Sequence, residues 1–137
     1  MKLCSACLLG IKCRYDGKSA RNRKVIMLLK AETLIPVCPE QLGGLPTPRE
    51  PAEIRGERVF TRSEKDVTEN FERGAKEVLK IAKLYGIKEA IMKQGSPSCG
   101  SGRIYDGTFS GKTIKGDGIT TAVLKENGIK VITEEDL

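Results

Sequence analysis

Four short apolar segments separated by helical periodicity govern what this chain can become. Residues 1–3 running into Cys4, then Leu34–Val37, Glu89–Met92 and Lys130–Thr133, each have the length and content of a buried strand. Between them apolar residues recur at three- and four-residue steps. The longest such run is Val67, Phe71, Ala75, Val78, Ala82 and Tyr85, with Asp66 placed to cap its start, Glu69 at the capping-box position and Gly86 to end it. Val25, Ile26, Leu28 and Leu29 give a shorter stripe, and a last helix is expected over residues 119–127, closed by Gly128. Strands alternating with helices close by right-handed crossovers into a parallel sheet with helices on both faces. The expected fold is therefore α/β: one three-layer, Rossmann-like domain over residues 1–137 with a short, mostly parallel sheet. Two small hairpins decorate it, residues 54–59 about Gly56 and residues 104–109 about Asp106-Gly107, a favoured turn dipeptide.

The residues that carry chemistry are five cysteines, Cys4, Cys7, Cys13, Cys38 and Cys99, in a chain with no histidine. Without imidazole, a metal site must be thiolate-rich, and a general acid or base must be a carboxylate, Lys, Tyr or Cys. A chain of 137 residues can bury a core without disulfide staples. The opening MKLCSACLLG is interrupted by Lys12 and Arg14 too soon for a signal peptide, and no apolar run is long enough to span a membrane, so the expected location is cytoplasmic. In that reducing compartment an odd number of cysteines points to metal binding or reactive thiols.

Placement narrows this. Cys4 and Cys7 follow the first expected strand, Cys38 the second, and Cys99 lies in the loop after the third. Loops at the carboxyl ends of an open α/β sheet share one crevice, so these thiols are expected to meet in space. Pro36, Pro39, Pro46, Pro48 and Pro51 surround Cys38, and Pro97 precedes Cys99, stiffening both loops as a preorganised site requires. Three readings stay open at this point: buried thiols without a chemical role, structural zinc, and an iron-sulfur cluster held by single cysteines on separate loops. Cys4-x2-Cys7 has zinc-knuckle spacing but lacks a second close pair.

The net charge of +6 (24 Lys+Arg against 18 Asp+Glu) is densest at residues 12–24, where six basic residues face only Asp16. The simplest reading is a solvated helix face. Three Phe, three Tyr and no Trp make a poor stacking platform for single-stranded nucleic acid. A zinc- or cluster-binding module for RNA, or an enzyme acting on thiolated tRNA, remains as the alternative. Nucleic acid is not the favoured partner, no membrane is implied, and monomer and homodimer are both open.

Several motifs in a fixed order then carry a family resemblance. They are Ser5-Ala6-Cys7-Leu8-Leu9-Gly10 with Arg14-Tyr15-Asp16-Gly17, Pro36-Val37-Cys38-Pro39-Glu40 with Gly43-Gly44-Leu45-Pro46 and Pro48-Arg49-Glu50-Pro51, and Gly95-Ser96-Pro97-Ser98-Cys99-Gly100. With Gly116-Asp117-Gly118-Ile119-Thr120 and Gly128-Ile129-Lys130-Val131 added, essentially the whole chain resembles the thiouracil desulfidase (TudS) family, also described as YbbK-like. The resemblance implies a [4Fe-4S] cluster held by Cys7, Cys38 and Cys99. It also implies a small thiolated nucleobase or nucleoside as substrate, and hydrolytic desulfuration at the open fourth iron with a transient [4Fe-5S] species. On that footing Cys4 and Cys13 are bystander thiols, with Cys13 the candidate if a fourth ligand exists. Glu40, two residues from Cys38, is the expected general base and acid. Ser96 is the expected hydrogen-bond donor to substrate or water, with Ser98 its alternative. Arg14 and Arg49 are expected to brace loops or meet substrate, and Gly43-Gly44 to serve a sharp turn.

Overall fold

The computed structural model describes residues 1–137. In chain order its elements are β1 (Lys2–Ser5), α1 (Arg23–Leu28), β2 (Leu34–Val37), α2 (Pro39–Leu42), β3 (Ala52–Arg55), β4 (Arg58–Thr61), α3 (Thr68–Tyr85), β5 (Glu89–Met92), β6 (Ile104–Tyr105), β7 (Thr113–Ile114), α4 (Ile119–Glu126) and β8 (Lys130–Thr133). The four apolar segments form one parallel sheet in the order β2-β1-β5-β8. Leu3 pairs with Ile35 on one side and Ala90 on the other, and Cys4 with Pro36 and Ile91. Pro36 has no N–H to give, and its strand lies at the sheet edge, where that loss is tolerated. No helix is long and apolar enough to cross a membrane.

Alternation along the strands divides the core into two layers. Leu3, Ala90 and Met92 pack with Val78 and Ala82 of α3 and Leu124 of α4. Cys4 and Ile91 face the opposite way, onto Leu8 of a 3₁₀ turn at Ala6–Leu9 and Val25 of α1. The three-layer α/β architecture follows from that division. Each large apolar side chain fully buried in these layers contributes roughly 1.5–3 kcal/mol.

The start of α3 is held by Asp66, whose Oδ1 accepts the Thr68 N–H at 2.9 Å. Thr68 Oγ1 in turn accepts the Val59 N–H at 2.8 Å, tying the β3–β4 hairpin to the helix. Glu69 closes no capping box. Tyr85 keeps the helical period but is 61% exposed. A helix of 18 residues runs about 27 Å, past strands that extend only about 13 Å, so its last turn overhangs the sheet.

Two further expectations are corrected. The basic stretch is not a helix face, because α1 begins only at Arg23, with Asn22 Oδ1 accepting the Val25 N–H. A turn at residues 14–18, closed by Asp16 Oδ1 accepting from Lys18 N–H, keeps the preceding segment irregular. The second hairpin does not turn back at Asp106-Gly107. There β6 pairs with β7, beyond residues 108–109, because Gly107 and Phe109 donate their N–H groups to Glu53 Oε1 and draw the intervening loop onto the first hairpin.

Helix α2 rests directly on α3. A Cβ added at Gly74 would collide with the Pro39 carbonyl oxygen, and one at Gly43 with the Asn70 carbonyl oxygen. Gly43, with φ −80°, therefore serves close approach, whereas Gly44, with φ +91°, supplies the turn. Because both partners are backbone, the neighbours cannot rotate aside. Gly74→Ala is expected to lower stability by about 1–3 kcal/mol, seen as a lower urea midpoint with an unchanged denaturant slope.

Candidate active site

The chain leaves β1 over the α1 face to reach β2, and returns past β1 over the α3 face to reach β5. Strand order thus reverses between β1 and β5, and loops leaving their carboxyl ends diverge to open a crevice. A cavity of about 380 Å³ lies there, with Cys7, Cys13, Cys38, Glu40, Ser96 and Cys99 in its wall. Cys7 sits in the 3₁₀ turn directly after β1, a turn ended by Gly10 at φ +96°. Cys38 is the residue between β2 and α2. Cys99 is in the loop after β5. The three loops named from the sequence do meet.

The Cys99 loop is fastened at both ends. Ser98 and Cys99 N–H groups donate to Ser96 Oγ at 3.1 and 3.0 Å. The carbonyls of Pro97 and Ser98 accept the first free N–H groups of α4, from Ile119, Thr120 and Thr121. Thr121 Oγ1 donates to the Cys99 carbonyl at 2.7 Å, and Gly118 lies so close to Ser98 that a Cβ would strike its backbone. Here the Gly116–Thr120 motif has its purpose, which sequence reasoning had not assigned. Ser98 Oγ is spent on Thr120 Oγ1 at 2.8 Å, so Ser98 is structural.

Glu40, in the first turn of α2, is joined to Arg49 through Oε1 and Nε at 3.0 Å, with side chains 16% and 7% exposed. Arg49 also donates from Nη1 to the Pro46 carbonyl and Thr47 Oγ1, and from Nη2 to the Cys13 carbonyl at 2.9 Å. It ties helix α2 and its own loop to the Cys13 loop. Burial pushes the Glu40 carboxyl above its ordinary range, and the Arg49 charge and hydrogen bond oppose that shift.

The remaining cysteines part company. Cys4 is wholly buried on the α1 side, outside the cavity wall, with its thiol toward the Ser5 carbonyl. Burial raises it to about 12. Cys13, read from the sequence as a buried or bystander thiol with a fourth-ligand role open, is buried and borders the cavity, its carbonyl 3.7 Å from Cys38 Sγ. The Arg49 clamp on its carbonyl carries it there, a long-range contact that periodicity does not encode. Its contact with Cys38 lowers its pKa, but the Cys7 contact and burial prevail and bring it to about 11. Cys38 is raised by the Cys13 contact and then by burial. Burial takes Cys99 to about 12, against the pull of the Ser5 and Ser96 hydroxyls. Ser5, which accepts the Lys93 N–H, is a further residue of the site that sequence reasoning missed.

Thiols at these values are neutral at pH 7, so a metal that binds here must displace their protons. The donors are sulfur, a set suited to a soft, thiophilic metal. No three Cys, Asp or Glu side chains close round a point that one ion could fill.

A family model described as 2-thiouracil desulfurase matches residues 3–136. The chain belongs to that family. Among its relatives is the Bacillus subtilis (strain 168) protein described as uncharacterized protein YbbK, 47% identical over 147 residues that cover 100% of this chain and 97% of that one. A solved structure, that of the [4Fe-4S]-dependent thiouracil desulfidase TudS, is 48% identical and covers 99% of this chain and 91% of its own. Its TM-score of 0.94 shows that this member of the desulfurase family shares the same α/β fold.

Proposed function

We propose that residues 1–137 form a single iron-sulfur desulfidase domain that removes sulfur from a small thiolated pyrimidine base or nucleoside, water supplying the oxygen that replaces it. The observation that carries this reading is the delivery of Cys7, Cys38 and Cys99 from the ends of three adjacent parallel strands to one cavity. Membership in the desulfurase family and 48% identity to a [4Fe-4S]-dependent thiouracil desulfidase support it. Three thiols on separate, hydrogen-bonded loops are a donor set of the kind that holds an iron-sulfur cluster. Cys7, Cys38 and Cys99 would hold a [4Fe-4S] cluster, and its fourth iron would supply a soft Lewis acid for the substrate's sulfur.

The chain's own residues do the proton work. Arg49 engages Glu40 Oε1, which leaves Oε2 to take a proton from water as the water oxygen bonds to the ring carbon. When the carbon-sulfur bond breaks, Glu40 returns that proton to the departing sulfur, which leaves as hydrosulfide, and the second proton of the water passes from the new carbonyl oxygen to solvent. Thiouracil and water become uracil, hydrosulfide and a proton, with no change in oxidation level. Ser96 Oγ accepts two backbone N–H groups, so its own O–H is left to donate, either to the neighbouring Cys99 sulfur or to the water or a substrate heteroatom.

The test is anaerobic reconstitution with iron and sulfide, then sulfide release from a panel of thiolated bases, nucleosides and nucleotides. Cluster-dependent release from a thiopyrimidine is expected. A colourless protein with stoichiometric zinc and no sulfide release overturns the proposal.

A further inference from the structure

Cys13 is the thiol at the cavity that the proposed reaction leaves unused, and it is not isolated. It lies near enough to the thiols of Cys38 and Cys7 for both to shift its proton affinity. Cys38 Sγ also stands 3.7 Å from the Cys13 carbonyl oxygen. That same carbonyl is fixed by Arg49 Nη2 at 2.9 Å and Thr47 Oγ1 at 3.5 Å, so the Cys13 backbone is held against the Cys38 side chain. Of the five cysteines Cys38 is half-buried and the other four are buried, so a reagent entering the cavity reaches Cys38 first. Cys99 faces the hydroxyls of Ser5 and Ser96, and Cys4 lies outside the cavity.

We propose that Cys13 and Cys38 are a reversible disulfide site, closed by a small-molecule disulfide such as oxidised glutathione and reopened by a dithiol. Cys38 gives up its proton and attacks the external disulfide, forming a mixed disulfide and releasing one thiol. Cys13 gives up its proton, attacks the Cys38 sulfur and expels the second thiol. The two protein thiols lose two protons and two electrons, and the external disulfide gains them. Cys13 is thus a resolving thiol beside a more accessible one. The consequence rests on the functional reading: pairing withdraws one of the three cluster thiols. A chain that has lost its iron would keep Cys38 in a recoverable state, not exposed to irreversible oxidation.

The purified chain, treated with a chelator to strip iron, is incubated anaerobically with excess oxidised glutathione. Remaining thiols are then alkylated, and an unreduced digest is mapped by mass spectrometry. The expected result is loss of two of the five free thiols, a peptide pair joining Cys13 to Cys38, no retained glutathione, and full recovery with dithiothreitol. A Cys13→Ser chain is expected to retain glutathione on Cys38. Five unchanged thiols, linkage of any other pair, or glutathione left on Cys38 of the unaltered chain overturns the proposal. The mapping uses neither cluster nor substrate, so failure of the desulfidase assay would sink the functional reading without touching this result.

Discussion

A Cys99→Ala chain is expected to fold, to bind less iron and acid-labile sulfide than a complete cluster requires, and to lose desulfidase activity by more than roughly 100-fold. The figure follows from metal sites generally, where losing a residue that merely supports a ligand already costs about 10- to 100-fold. Folding should survive because the Cys99 loop is held by Ser96, Thr121 and the start of α4, none of which acts through the Cys99 sulfur. Removing one sulfur from a core shared with Val37, Met92 and Leu124 should cost about 1 kcal/mol. Iron and sulfide content, visible absorption and far-ultraviolet circular dichroism on the same sample separate loss of the cluster from loss of the fold. Cys4→Ala is the matched control, since Cys4 is buried outside the cavity and should leave iron content unchanged. Full iron content and rate in Cys99→Ala would remove Cys99 from the ligand set.

The sheet was readable because its four strands are apolar runs bounded by turn residues, and their carboxyl ends place Cys7, Cys38 and Cys99 by topology alone. Such reasoning works where a property repeats along the chain or where connection rules leave one solution. It stops where a position depends on a contact between distant loops. Cys13 is the clearest instance: its place in the wall depends on Arg49 reaching back to its carbonyl. The residues of β7 were hidden for the same reason, because Glu53 captures the turn that Asp106-Gly107 would otherwise close. Gly43 looks like a turn glycine in sequence, and Gly118 shows no evident role there. In the fold they are points where two backbones touch, a constraint visible only once α2 lies on α3 and the Cys99 loop on α4.

The Arg49 clamp also bears on Glu40, because the same guanidinium holds the carboxylate and the Cys13 carbonyl, and the carboxylate stands two residues from Cys38. A Glu40→Gln chain keeps the shape of that side chain and an oxygen to accept the Arg49 Nε–H. Arg49 retains Pro46, Thr47 and Cys13 as further partners. The loops around Cys38 should therefore stay in place, and the cluster should assemble with unchanged iron content and absorption. What glutamine cannot do is take a proton from water. The expected result is a fall in kcat of about 10²- to 10⁴-fold, the usual contribution of a positioned general base, with KM little changed because substrate binding is not the step altered. Glu40→Asp should fall between the two, since it keeps the carboxylate but draws it back by one methylene. An intact cluster with an unaltered kcat in Glu40→Gln would take the proton transfer away from Glu40, whereas a lost cluster would show that its first duty is to hold the Cys38 loop.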